Sequence, residues 1–110
     1  GSANKVGVGV VQYDPTTREY QILANPRKTF IPPTGQGFLP KETAVHHQAH
    51  IVALVKAALM EAFPSINNHH DNNAADNDYS DLISAICFTK GPGMGAPLQS
   101  IAVCARTLSL

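Results

Sequence analysis

Charged side chains are scarce in this sequence, with Asp, Glu, Lys and Arg making up only 15% of 110 residues. A self-contained small domain carries more charge than this, so part of the surface is expected to be covered. The charge that is present has no net sign. Eight basic and eight acidic residues cancel, which excludes a bulk pull toward nucleic acid or membrane and leaves only local patches. Cysteine is almost missing: Cys87 and Cys104 lie in apolar runs without disulfide or zinc spacing. They read as reduced core residues of an intracellular protein. No apolar run approaches the roughly 18 residues that span a bilayer, and no signal peptide is visible. A helix-borne His-Glu-x-x-His is also missing, which leaves a zinc-protease reading without support.

What is there is 44% hydrophobic, enough for a globular fold of one small domain or part of a larger one. Residues 6–11 alternate valine with glycine and predict a strand that something approaches closely. Asp14-Pro-Thr-Thr17 predicts a turn, and residues 19–23 the second arm of a hairpin. Residues 25–40 hold four prolines and two glycines and predict a loop. A helix is expected over 40–63, with Pro40 at its first position, Glu42 near the positive end of its dipole and Phe63-Pro64 as its stop. Ile51, Leu54, Val55, Ala58, Leu59 and Ala62 form its buried face. Ala49, Ala53, Ala57 and Met60 form a second stripe, small enough for another helix to pack closely.

Residues 65–81 are rich in Asn, Asp and His and predict a solvated, disordered insertion. Residues 82–88 are an apolar run of strand length, suited to the middle of a sheet. The turn Lys90-Gly-Pro-Gly-Met-Gly follows, then a helix entered at Pro97 with Leu98, Ile101, Ala102, Ala105 and Leu108 as its buried stripe. No stop signal precedes Leu110, so the chain is expected to continue in a longer protein.

Three clusters carry chemistry. Gly91, Gly93 and Gly95 lie between a strand and a helix N-terminus, where backbone N–H groups can face an anion and glycines let a phosphate or ribose approach. The same pattern also suits a plain tight connection, since it is not a Walker or dinucleotide fingerprint. Glu42, His46 and His50 stand at i, i+4 and i+8 on one side of the helix, a spacing at which two imidazoles and a carboxylate could share a metal. A polar helix flank is the preferred reading, because a single helix rarely supplies a closed tetrahedral site. His69 and His70 offer at most adventitious metal binding. Arg27 and Lys28 either meet an RNA backbone or are two solvated cations in a loop.

Four blocks occur in order: Gly1-Ser-Ala-Asn-Lys5; Asn25-Pro-Arg-Lys-Thr29; Gly37-Phe-Leu-Pro40 with Glu42-Thr-Ala44 and His46-His47; and residues 90–100 followed by Ala105-Arg-Thr-Leu-Ser-Leu110. In these the sequence resembles the family of tRNA N6-adenosine threonylcarbamoyltransferases. That family comprises the catalytic subunits of KEOPS and bacterial TsaD, formerly labelled O-sialoglycoprotein endopeptidases or glycoproteases. The resemblance implies an α/β fold, the incomplete N-terminal lobe of an actin-like, Hsp70-like (ASKHA) ATPase, with a mixed sheet flanked by helices. It implies that residues 1–110 are a partial lobe, without the first strand and the C-terminal lobe. It also implies transfer of threonylcarbamoyl from an adenylate to N6 of the adenosine beside the tRNA anticodon, with one divalent metal, iron or zinc.

The family's metal histidines and carboxylate belong downstream of Leu110, so the chain alone is expected to be inactive, without cofactor or catalytic residue. Ser2, Asn4 and Lys5 then become the first phosphate-facing hairpin, with Gly1-Ser2 as native sequence, and Gly91, Gly93 and Gly95 become a cleft loop. tRNA is the implied partner at Arg27 and Lys28. A small dimerising KEOPS subunit is implied at the 40–63 helix, and a kinase/ATPase subunit at the missing lobe. The implied location is cytoplasm and nucleus, with no membrane. Two other readings compete: a sugar- or acetate-kinase-type lobe, which would want an acidic residue where Asn4-Lys5 stands, and a non-enzymatic metal-binding adaptor.

Overall fold

The computed structural model describes residues 1–64 and 79–110. Four short strands come first: β1 (Lys5–Gly7), β2 (Val10–Asp14), β3 (Glu19–Ala24) and β4 (Arg27–Thr29). Two helices follow, α1 (Pro40–Ala62) and α2 (Gly95–Leu108), with a single 3-10 turn at Ser80–Leu82 before the second.

The strands form one long hairpin broken in the middle. β2 pairs with β3 and β1 with β4, both antiparallel. Residues 6–11 were expected to make one strand, but the ladder breaks at Val8 and Gly9, opposite Asn25 and Pro26. Pro26 has no N–H to donate, so only its carbonyl bridges the gap, accepting from Val8 N–H at 3.0 Å. Next to the break, Val10 faces Ala24 while Val11 faces Ile22, which leaves Leu23 as the extra residue of a bulge. At the tip, Asp14 Oδ1 accepts from the N–H groups of Thr16 (2.9 Å) and Thr17 (3.4 Å), and Arg18 takes a left-handed φ of 59° to close the turn. Residues 25–40 are therefore only partly loop. Arg27–Thr29 is a strand, and Gly35 (φ 83°) sits at the third position of a turn closed by Gln36 N–H to Pro33 O.

Helix α1 has the expected extent. Leu39 is its extended N-cap, Pro40 fills the first turn, where its missing N–H costs nothing, and Phe63 N–H closes the end on Leu59 O. Its buried residues are Thr43, Ala44, His47, Ile51, Leu54 and Ala58. The expected face is present, with Val55, Leu59 and Ala62 half-buried at its margin, and it extends one turn further toward the N-terminus. Helix α2 starts at Gly95, two residues before the expected entry, and Pro97 is buried within its first turn. Ile101 and Ala105 are its buried residues, whereas Leu108 is 50% exposed rather than part of the stripe. The core gathers Val6 of β1, Ile51 and Leu54 of α1 and Ile101 of α2, with Val8, Val55 and Cys104 against it. Gln48 on α1 also donates to Ser100 Oγ on α2 at 2.9 Å.

Three further expectations are corrected. Residues 82–88 join no sheet among the described residues: Leu82 ends the 3-10 turn, and Ile83 is extended (φ −106°, ψ 111°) but without a ladder. A strand needs a neighbour's N–H and C=O groups, and no described strand lies alongside. For the same reason the sheets are antiparallel pairs and not the expected mixed sheet. Cys87 on this segment is exposed and not a core residue, whereas Cys104 is half-buried against the core, where burial pushes its thiol pKa upward. The expected insertion at 65–81 falls mostly outside the described residues. Its last three lie within them, and Tyr79 stacks on Phe63 with ring centroids 6.2 Å apart.

Candidate functional site

The turn at residues 2–5 is built from its own backbone. Ser2 N–H donates to Lys5 O at 2.7 Å, Lys5 N–H donates to Ser2 Oγ at 3.2 Å, and Ser2 Oγ lies 3.4 Å from Asn4 Oδ1. Two further bonds tie the turn to the rest of the chain. Phe30 N–H donates to Asn4 O at 2.6 Å, and Nε2 of His47 lies 2.7 Å from Ser2 O. Gly1 precedes the turn in a space with no room for a side chain. A Cβ there would stand 2.9 Å from Ile101 Cγ1 and 3.0 Å from His47 Cδ2.

β1 carries Lys5 out of this turn against β4, where Lys5 faces Thr29, Val6 faces Lys28 and Gly7 faces Arg27. Side chains alternate along a strand, so Lys5 and Arg27 share one face of the ribbon, as diagonal neighbours about 7–8 Å apart at Cα. Lys28 lies on the other face, with buried Val6. The sequence presents Arg27 and Lys28 as a pair; the fold separates them and joins Arg27 to Lys5.

The glycine turn leads into α2 six residues before Ile101, the residue on which Gly1 packs. Gly91, Gly93 and Gly95 are exposed, and α2 begins immediately after with no side-chain cap. The first N–H groups of a helix have no partner within it, so those of Gly95 and Ala96 lie unpaired by the helix itself at the positive end of the dipole. A Cβ at Gly91 or Gly95 would meet nothing within 4 Å, whereas one at Gly93 would stand 3.3 Å from Leu98 Cδ1. Beside the turn is an open pocket of about 240 Å³ lined by Phe88, Thr89, Lys90, Gly95, Leu98, Gln99 and Ala102.

The helix flank of Glu42, His46 and His50 is a run of stacked rings. His46 packs on His50 (centroids 4.6 Å), on His47 (5.3 Å) and on Phe30 (5.1 Å), which in turn meets Phe38 edge-on at 6.0 Å. Burial, then the neighbouring His50 and His47, hold the His46 pKa below the usual 6.5. Among the described residues no three His, Cys, Asp or Glu side chains stand close enough to hold a metal ion. The described residues therefore offer no ligand set for the metal that the family reading adds.

His47 is the site residue that motif reasoning passed over. It is wholly buried, on the same face as Ile51, Leu54 and Ala58. The signal was available: that face, carried back one turn from Ile51, falls on His47. The second stripe is placed as expected on the outer side of α1, where Ala49, Ala53 and Ala57 are exposed and Met60 is 55% exposed.

A hairpin, two packed helices and a glycine turn leading into a helix N-terminus define a small α/β module. The chain belongs to the TsaD family of tRNA N6-adenosine threonylcarbamoyltransferases, whose family model matches residues 21–110. Proteins described as tRNA N6-adenosine threonylcarbamoyltransferase are similar to it along its whole length, at 53% identity in Aspergillus clavatus, 52% in Schizosaccharomyces pombe and 54% in Gibberella zeae. The chain spans 26%, 28% and 27% of those proteins respectively, about a quarter of each.

Proposed function

We propose that this chain is the N-terminal part of an enzyme that moves threonylcarbamoyl from threonylcarbamoyl-adenylate to N6 of the adenosine next to the tRNA anticodon. The observation that carries this is the family match over residues 21–110, with about half of all positions identical to transferases of that name. The same match favours this reading over a kinase-type lobe or an adaptor. The module is read as part of the N-terminal lobe of an actin-like, Hsp70-like ATPase fold, with the first strand and the second lobe supplied by the rest of the protein.

In such a transfer the amine N6 attacks the carbamoyl carbon, the bond to the phosphate oxygen of AMP breaks, and N6 gives up a proton. Negative charge grows on the leaving phosphate. Groups fixed around that oxygen lower the barrier more than mobile water would. Lys5 is suited to offset that charge, Asn4 and Ser2 to donate hydrogen bonds, and the N–H groups of Gly95 and Ala96 to face an oxyanion. Gly91, Gly93 and Gly95 let the nucleotide approach the backbone. A divalent iron or zinc would touch the adenylate from residues outside those described, and no step here depends on it.

Arg27, sharing a face with Lys5, is the better candidate for the tRNA backbone, with Lys28 contributing from the far side. The outer stripe of α1 is assigned to a small dimerising KEOPS subunit, and the missing lobe to a kinase/ATPase subunit. The whole enzyme is placed in cytoplasm and nucleus. The test is turnover of the full-length protein with threonylcarbamoyl-adenylate and tRNA, beside Gly93→Val. Activity that drops with adenylate affinity in the variant is expected; an inactive wild type, or a variant with unchanged affinity and rate, would sink the assignment.

A further inference from the structure

His47 is a wholly buried imidazole, 0% exposed, on a face shared with Thr43, Ile51, Leu54 and Ala58. A buried polar ring persists at low cost only when both nitrogens are satisfied. Nε2 lies 2.7 Å from the carbonyl oxygen of Ser2, 45 residues away in sequence. A carbonyl only accepts, so Nε2 carries the hydrogen. In the Nε2–H tautomer Nδ1 keeps its lone pair, and it stands 3.0 Å from Nδ1 of His46. His46 must therefore be the donor of that bond. One backbone carbonyl thus sets the hydrogen positions of two adjacent rings, and His46 is itself held against Phe30 and His50.

The turn that His47 reaches is otherwise closed on itself. Besides the β1–β4 ladder that sets Lys5 opposite Thr29, two carbonyls attach it to the rest of the described chain, Ser2 O held by His47 on α1 and Asn4 O held by Phe30 N–H after β4. Gly1 is packed against the same His47 ring and Ile101. Losing the His47 bond would leave the turn anchored on the Phe30 side alone.

We infer that His47 is a positioning residue, clamping the turn at residues 2–5 through the Ser2 carbonyl so that Asn4 and Lys5 are held ready for the adenylate phosphate, with His46 donating to its other ring nitrogen. The clamp rests on the proposed role of that turn. It touches no substrate and moves no proton in the transfer; its effect is on the geometry of the groups that do.

The test uses the full-length protein. His47→Leu fills a similar space without a donor, while His47→Gln offers an amide N–H that can reach the same carbonyl. The leucine variant is expected to lower kcat/KM for threonylcarbamoyl-adenylate about tenfold, and the glutamine variant to recover to within about threefold of wild type. A purely structural role predicts the reverse order, because leucine suits an apolar pocket better than glutamine does. Equal values for the two variants, or leucine the better, overturn the clamp. If the leucine variant fails to fold, nitrogen NMR of the wild-type imidazoles decides. A hydrogen on Nε2 of His47 is expected, and an Nδ1–H tautomer with Nε2 bare overturns the clamp. Lys5→Ala, run in parallel, separates the two levels. If Lys5→Ala is without effect, the role of the turn fails and the clamp with it; if Lys5→Ala is impaired while His47→Leu is not, the clamp alone fails.

Discussion

Thr43 sits one turn before His47, wholly buried, and its hydroxyl oxygen has no hydrogen-bond partner among the described residues. Valine has the same shape without that oxygen. Thr43→Val is therefore expected to raise stability by roughly 1 kcal/mol, read as a higher Tm of the full-length protein. Gly1 is the opposite case. Adding even one carbon brings it to 2.9 Å from Ile101 and 3.0 Å from His47, and Gly1→Ala should cost about 1–3 kcal/mol by overpacking. His46 gives the residue scale a pH dependence. Its folded pKa lies below the ordinary 6.5, so the unfolded chain binds the proton more readily. The stability this contributes is full above pH 6.5 and is lost as pH falls from there through the lower folded value. Tm measured across that range should decline more gently in His46→Gln than in wild type. Neither Thr43 nor His47 is conspicuous by residue type. Both are found by continuing a helical face past the point where its aliphatic members stop.

Helix α1 was legible from end to end because everything that defines it is local: a proline at the start, a Phe-Pro stop, and a period that needs no knowledge of the partner. Residues 82–88 were misjudged for the converse reason. Their composition suits a buried strand, but a strand exists only with a neighbour, and none of the described residues provides one. β4 was missed because Arg27-Lys28-Thr29 is polar and surrounded by prolines, and only the register with Lys5, Val6 and Gly7 makes it a strand. That register also rearranged the candidate site by putting Arg27 beside Lys5. If the shared face matters, Arg27→Ala should weaken tRNA binding and flatten its salt dependence more than Lys28→Ala does, measured by titration at several salt concentrations. On the outer face of α1, Ala53 is exposed, so Ala53→Trp should change stability by no more than about 0.5 kcal/mol while blocking assembly with a partner helix. Thermal melts and co-purification separate the two.

At the scale of the molecule, the low charge noted first has a structural counterpart. Val11, Tyr13, Tyr20 and Ile22 line one face of the hairpin and are all more than half exposed, with Tyr13 and Tyr20 in contact at 5.7 Å. Leu82, Ile86 and Phe88, on the stretch that joins no sheet among the described residues, are exposed. Surfaces like these are costly in water and cheap under a protein cover. They fit a module that spans about a quarter of its relatives' length.

The bond from His47 to Ser2 also sets an order of events. It joins residues 45 apart, and closing so long a loop is an entropic cost met only when contacts at its far end are ready to repay it. The turn therefore takes its final shape late, after α1 has formed and docked on β1. On the proposed role of the turn, a newly made chain cannot offer Lys5 to an anion before the core beneath it exists, and anion binding there would report completed folding.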